Sequence, residues 1–219
     1  MPFTEQNVKR IAELIQEIEA RKEHKYAAPT YKDSAALAEI AEIVNAQLDT
    51  QQPWDKDTLC NIILAVRYLA EKYEKMWRCS VSVRYYNKLI ELLAVQADIF
   101  SVTQENSSDD YYSALRVRNY YAYDDCTDLS ELSKSFLPDK DRKALEEQVL
   151  SKPLGLKHDP IELSEEYLSV IDEVERRMDE AGTKNMHPFE SAGLRRKLLK
   201  EYGIDWKSEI ELNPDFHFD

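Results

Sequence analysis

Apolar residues recur every three or four positions through most of this chain, the period of a helix with one buried face. Thr4 precedes Val8, Ile11, Leu14, Ile15 and Ile18, which predicts a capped helix running to about Lys22. Asp33 or Ser34 opens a second stripe of Leu37, Ile40, Ala41, Val44 and Leu48. Asp55, after Pro53, starts a third with Leu59, Ile63, Val66, Leu69, Tyr73 and Trp77. A side-chain oxygen just ahead of an i, i+3, i+4 pattern is the usual start signal of a helix. The fourth begins near Ser80 and carries Leu89, Leu92, Leu93 and Phe100. Its opening, Val81 to Tyr85, alternates with period two, but the turns that follow keep helical period, so a helix is expected.

Residues 103–110 are polar and read as a loop or domain boundary. Residues 111–123 fit two patterns. Leu115, Val117, Asn119, Tyr121 and Tyr123 alternate like a strand, whereas Tyr112, Leu115, Asn119 and Ala122 suit a helix. A lone strand has no pairing partner, which favours the helix. Short helices are expected over 128–136 and 139–150, separated by Leu137-Pro138, with loop over 152–162. Ser164 caps a helix over 165–181 that Gly182 ends. Pro188 suits the first turn of another helix, which reaches Tyr202 and stops at Gly203, with Ile204 placed for a Schellman turn. With only four glycines, the expected fold is all-α: a multi-helix bundle or an irregular helical-hairpin array, without a formal 34-residue repeat. The expected division is an N-terminal helical unit over 1–103 and an acidic C-terminal unit over 109–219 with an irregular tail.

Charge sharpens that division. The net charge is −13. Residues 1–100 hold 13 Lys and Arg against 15 Asp and Glu; residues 101–219 hold 16 against 27. The acidic half repels nucleic acid at long range, so direct nucleic-acid binding is disfavoured and a partner protein with a basic surface is favoured. No run approaches the roughly 20 apolar residues of a membrane helix. Met1 to Gln6 lacks a basic segment followed by an apolar one, so no secretory signal is expected. Three widely spaced cysteines, Cys60, Cys79 and Cys126, suit neither a disulfide framework nor a zinc site, and point to reducing cytoplasm.

Candidate chemistry is sparse. His158-Asp159 is similar to the paired metal ligands of the all-helical HD-type phosphohydrolases, but the only upstream histidine is the distant His24. Glu162, Glu165, Glu166, Asp172, Glu173 and Glu175 crowd one helix, as in magnesium-binding pyrophosphohydrolases with an E-E-x-x-E run; Ser169 stands where that run needs its last glutamate. A divergent Mg or Mn phosphohydrolase would use Glu165, Glu166 and His158 as catalytic groups and Glu162, Glu165, Glu166 and Asp159 as metal ligands. The stronger expectation is a non-enzymatic interaction or regulatory protein without a cofactor, including the special case of an acidic nucleic-acid mimic. Its candidate surface is Tyr111, Tyr112, Tyr120 and Tyr121, with Arg195 and Arg196 of the one basic cluster in the acidic half, and Trp206.

The tail reads Tyr202-Gly203-Ile204-Asp205-Trp206-Lys207-Ser208, then Leu212-Asn213-Pro214 and Phe218-Asp219. It resembles the ending of uncharacterised bacterial helical proteins, with Glu209 where those carry a proline. The resemblance covers about the last thirty residues and implies bacterial or mobile-element origin but no activity. The tail's own apolar residues predict that it folds back and buries Trp206 near Leu198 and Leu199.

Overall fold

The computed structural model describes residues 4–22, 28–50, 54–102, 105–120, 127–151, 156–183 and 186–216. Among them regular structure is helical throughout, with no strand: α1 (Glu5–Ala20), α2 (Ser34–Leu48), α3 (Lys56–Lys75), α4 (Cys79–Phe100), α5 (Ser107–Tyr120), α6 (Leu129–Ser133), α7 (Asp139–Leu150), α8 (Glu165–Glu180), α9 (Pro188–Glu201) and α10 (Glu209–Leu212), with 3-10 turns at Tyr31–Asp33 and Pro160–Leu163. The fold is all-α.

The helix starts follow the expected caps. The Thr4 hydroxyl accepts from the Asn7 amide while the Asn7 side chain accepts from the Thr4 amide, a reciprocal capping box. Asp55 and Ser164 accept from the amides of Thr58 and Tyr167 at 2.8 and 3.2 Å. Asp33 does not cap α2 with its side chain; its carboxylate instead takes the Arg21 guanidinium at 2.7 Å and the Thr30 amide at 2.9 Å.

Contacts divide the chain into two units: Met1–Asn119 with Tyr123–Pro153, and Tyr120–Ala122 with Leu154–Asp219. Residues 103–109, where the sequence suggested a division, fall inside the first unit. Two differences in that region have a physical cause. Ser107 to Asp110, expected as loop, form the first turn of α5, because Asp110 is drawn inward onto the Arg67 guanidinium at 2.6 and 2.8 Å. The buried stripe of α5 is Tyr111, Ala114 and Val117 rather than the stripe starting at Tyr112, a one-residue change of phase that rotates the helix by about 100°.

The core of the first unit is the α3–α4 hairpin, where Ile62, Ile63, Val66 and Leu69 meet Leu89, Ile90 and Leu93, all buried. Burying each such side chain contributes roughly 1.5–3 kcal/mol. The hairpin turn holds Trp77 at φ 58°, with the Arg78 amide donating to the Tyr73 carbonyl at 2.9 Å. Around α3, α2 and α1 add Leu37, Ile40, Val44, Leu14 and Ile18 to the interior.

The second unit has its own core of Tyr167, Ile171, Val174 and Met178 from α8, Leu198 and Leu199 from α9, and Ile204 and Trp206 from the tail. Its key turn is the Schellman end of α9. Gly203 sits at φ 78°, a left-handed position that suits glycine, and the Ile204 amide donates to the Leu199 carbonyl at 3.1 Å. That turn points the following segment back over α9.

Candidate interaction sites

The α3 sequence contains five consecutive apolar residues, Ile62-Ile63-Leu64-Ala65-Val66. Five in a row span more than one face of a helix, so burial against a single neighbour leaves some of them outward. Packing on α4 and α2 covers Ile62, Ile63, Ala65 and Val66, and leaves Leu64 55% exposed. Leu64 edges a groove of about 200 Å³ between α1 and α3, lined by Val8, Ile11, Ala12 and Ile15 on one side and Asn61, Ala65 and Tyr68 on the other.

One end of this groove carries unusual polar groups. The Tyr68 hydroxyl is buried and has no hydrogen-bond partner among the described residues. Burial, reinforced by the negative charges of Glu19 and Asp33, holds its pKa well above the usual phenol range. The Lys72 ammonium stands 4.7 Å from the centre of the same ring and donates to Glu19 at 2.9 Å. Desolvation lowers the pKa of Lys72, while Glu19 opposes that shift. The groove is thus lined mainly by apolar side chains, with Asn61 and Tyr68 as the polar residues of its wall, which suits an apolar element of a partner.

A second opening, about 430 Å³, lies between α2 and α4 and includes Asn45, Leu48, Arg84, Tyr85 and Lys88 in its walls.

The residues singled out from the sequence lie elsewhere. Tyr111 is fully buried, with its hydroxyl donating to Glu146 at 2.8 Å and its pKa pushed up by burial to about 12. Trp206 is 4% exposed and its indole N–H donates to Glu162 Oε1 at 2.6 Å. Neither can serve as a docking surface, because both side chains are already spent on the interior. Arg195 lies over the Trp206 ring at 5.8 Å and within 3.9 Å of Glu175. Arg196 donates to the Trp206 carbonyl at 3.3 Å and pairs with Glu211. The basic cluster therefore clasps the tail. Tyr112 and Tyr120 are half-buried; Tyr120 tilts its ring against His158, centroids 6.1 Å apart. Tyr121 and Cys126 lie outside the described residues.

The carboxylate set also has structural occupations. Burial disfavours the charged form of His158, but the flanking carboxylates of Glu162 (3.5 Å) and Glu209 (3.2 Å) outweigh that and raise its pKa to about 9. Asp159 accepts from the amides of Ile161 and Lys207 at 3.1 and 2.7 Å. Asn213 bridges back to the Lys157 amide and carbonyl at 2.8 and 2.9 Å. Glu165 and Glu166 are exposed in the first turn of α8, where the helix dipole favours acids. Among the described residues no three His, Cys, Asp or Glu side chains are grouped so as to hold a metal ion. No family model, curated protein or solved structure matches this chain, and the chemistry of the sites themselves carries the functional argument.

Proposed function

We propose that this chain is a non-enzymatic interaction or regulatory protein, and that a partner protein docks an apolar element into the groove between α1 and α3. The observation that carries the reading is the groove itself, a largely apolar trough edged by a 55% exposed Leu64. Covering the remainder of Leu64 together with neighbouring parts of Val8 and Ile15 contributes a few kcal/mol, at about 25 cal/mol per Å². The net charge of −13 favours a partner with a basic surface. Three widely spaced cysteines fit the reducing cytoplasm as the compartment where that partner is met. No helix among the described residues is long and apolar enough to cross a membrane.

Docking of a protein is better supported than mimicry of nucleic acid. Within α8, Arg176 pairs with Glu173 and Glu180; between α8 and α9, Arg177 pairs with Glu201 and Arg195 with Glu175, so cations interrupt the acidic face. The test is co-purification from the native host after chemical crosslinking, comparing the natural chain with Leu64→Asp. The reading predicts a partner that the variant loses while keeping its helical circular dichroism. A partner retained equally by the variant overturns the groove as its docking site.

A further inference from the structure

The groove between α1 and α3 has the capacity of one ring. Its volume is about 200 Å³, and an apolar cavity of roughly 150 Å³ is enough to take benzene. Ala12 and Ala65, one from each helix, are the smallest side chains of the lining and leave that room. Val8, Ile15 and Leu64 supply branched apolar wall, and Tyr68 adds an aromatic ring to it. Two aromatic rings that meet edge to face or offset attract each other beyond the area they bury. A leucine in the same place gains the area alone.

Area decides what kind of occupant this is. One aromatic side chain buries about 150–250 Å², whereas a stable protein–protein interface buries about 1,600 Å² in total. The groove therefore seats an anchor side chain and is too small to hold a second copy of the chain by itself. Two copies, each of net charge −13, also repel one another. The exposed charges on the flanking turns are mixed, with Glu5 and Lys9 on α1 and Asp57, Glu71 and Lys75 on α3. Charges of both signs spread over several turns largely cancel, so apolar contact rather than a local ion pair sets the affinity of the anchor.

We propose that the α1–α3 groove takes a single aromatic side chain of the partner protein, which packs against the Tyr68 ring between Ala12 and Ala65. The inference rests on the docking reading of the same groove and adds to it the chemistry of the anchor.

The test is an amide NMR titration of the full chain with uncharged, end-blocked pentapeptides Gly-Ser-X-Ser-Gly, where X is phenylalanine, leucine or alanine. The proposal predicts saturable shifts at residues 8, 12, 15, 61, 64 and 68 with the phenylalanine peptide, at a dissociation constant on the order of millimolar. Leucine should bind about two- to tenfold more weakly, and alanine should not saturate. Tyr68→Phe should keep that preference and Tyr68→Leu should remove it. Ala12→Leu, at an exposed position of α1, should fill the groove and abolish binding while the helical circular dichroism is unchanged. Absence of saturable shifts with the phenylalanine peptide overturns the proposal. So does leucine binding as tightly as phenylalanine, a preference that Tyr68→Leu retains, or a dimer in sedimentation that Leu64→Asp dissolves. Equal binding of the phenylalanine and leucine peptides removes only the aromatic anchor and leaves the docking reading in place. A crosslinked partner that Leu64→Asp retains removes the docking reading whatever the peptides do.

Discussion

Replacing Trp206 by alanine should unfold the second unit while leaving the first intact. Three losses coincide at this side chain. Its rings fill the space between Leu198, Leu199 and Ile204 in the second core, and emptying a site of that size costs about 3–5 kcal/mol. Its N–H is the donor to Glu162 at 2.6 Å, and removing it leaves a mostly buried carboxylate without that partner, at about 1–3 kcal/mol. The cation–π contact from Arg195 also disappears. A single core below about 70 residues seldom supplies more than about 3–5 kcal/mol in total, so the truncation removes most of what holds this unit together. Trp206→Phe keeps one aromatic ring but neither the donor nor the full indole volume, and should cost less than the alanine variant, about 2–4 kcal/mol. Hydrogen exchange read by mass spectrometry separates the units: α8 and α9 amides should lose protection in Trp206→Ala, and α3 and α4 amides should not. If α8 and α9 keep their protection to within about tenfold, equivalent to about 1.4 kcal/mol, the tail is not part of that core and the reasoning fails.

The His158 charge gives the same unit a pH dependence. With a folded pKa near 9 and an ordinary unfolded value near 6.5, its contribution is complete below about pH 6.5 and is lost as pH rises through 9. Melting of the second unit should fall across that window, by up to about 3 kcal/mol of stability, and His158→Gln should flatten the fall. In the first unit, Asp110→Ala removes the carboxylate that two Arg67 nitrogens contact in a largely buried site and should cost about 3–5 kcal/mol in urea unfolding, whereas replacing both residues by apolar ones should cost less. Leu64→Asp should be milder in the same assay, about 1–2 kcal/mol, because 55% of that residue already faces water and only its remaining apolar contact and some helix propensity are lost.

The helices were legible because their signals are local. Caps at Thr4, Asp55 and Ser164, the apolar stripes behind them, and the glycine stop at Gly203 all act within one or two turns of chain. The helix chosen over a strand for Val81 to Tyr85 and for residues 111–120 agrees with the structure for the same reason. What the local signals did not carry is which side of a helix faces inward when several sides are apolar. On α5 the tyrosines permit two phases, and the choice is made by the Arg67–Asp110 pair, 43 residues apart. On α3 the run from Ile62 to Val66 announces surplus apolar surface, but only the positions of α2 and α4 determine that Leu64 is the residue left out. Arg195 and Arg196 look like a free basic patch until the chain turns back and places Trp206 beneath them. Glu209 gave no local signal because its role depends on the chain turning back, which brings it to face His158 at 3.2 Å.

Site-specific photocrosslinking in the native host tests the docking claim most directly. Benzoylphenylalanine would replace Leu64 in one strain and Lys140, an exposed residue of α7, in another. The account predicts a discrete adduct with one partner protein from position 64, absent from position 140. No adduct at 64, or the same adducts from both positions, would contradict it.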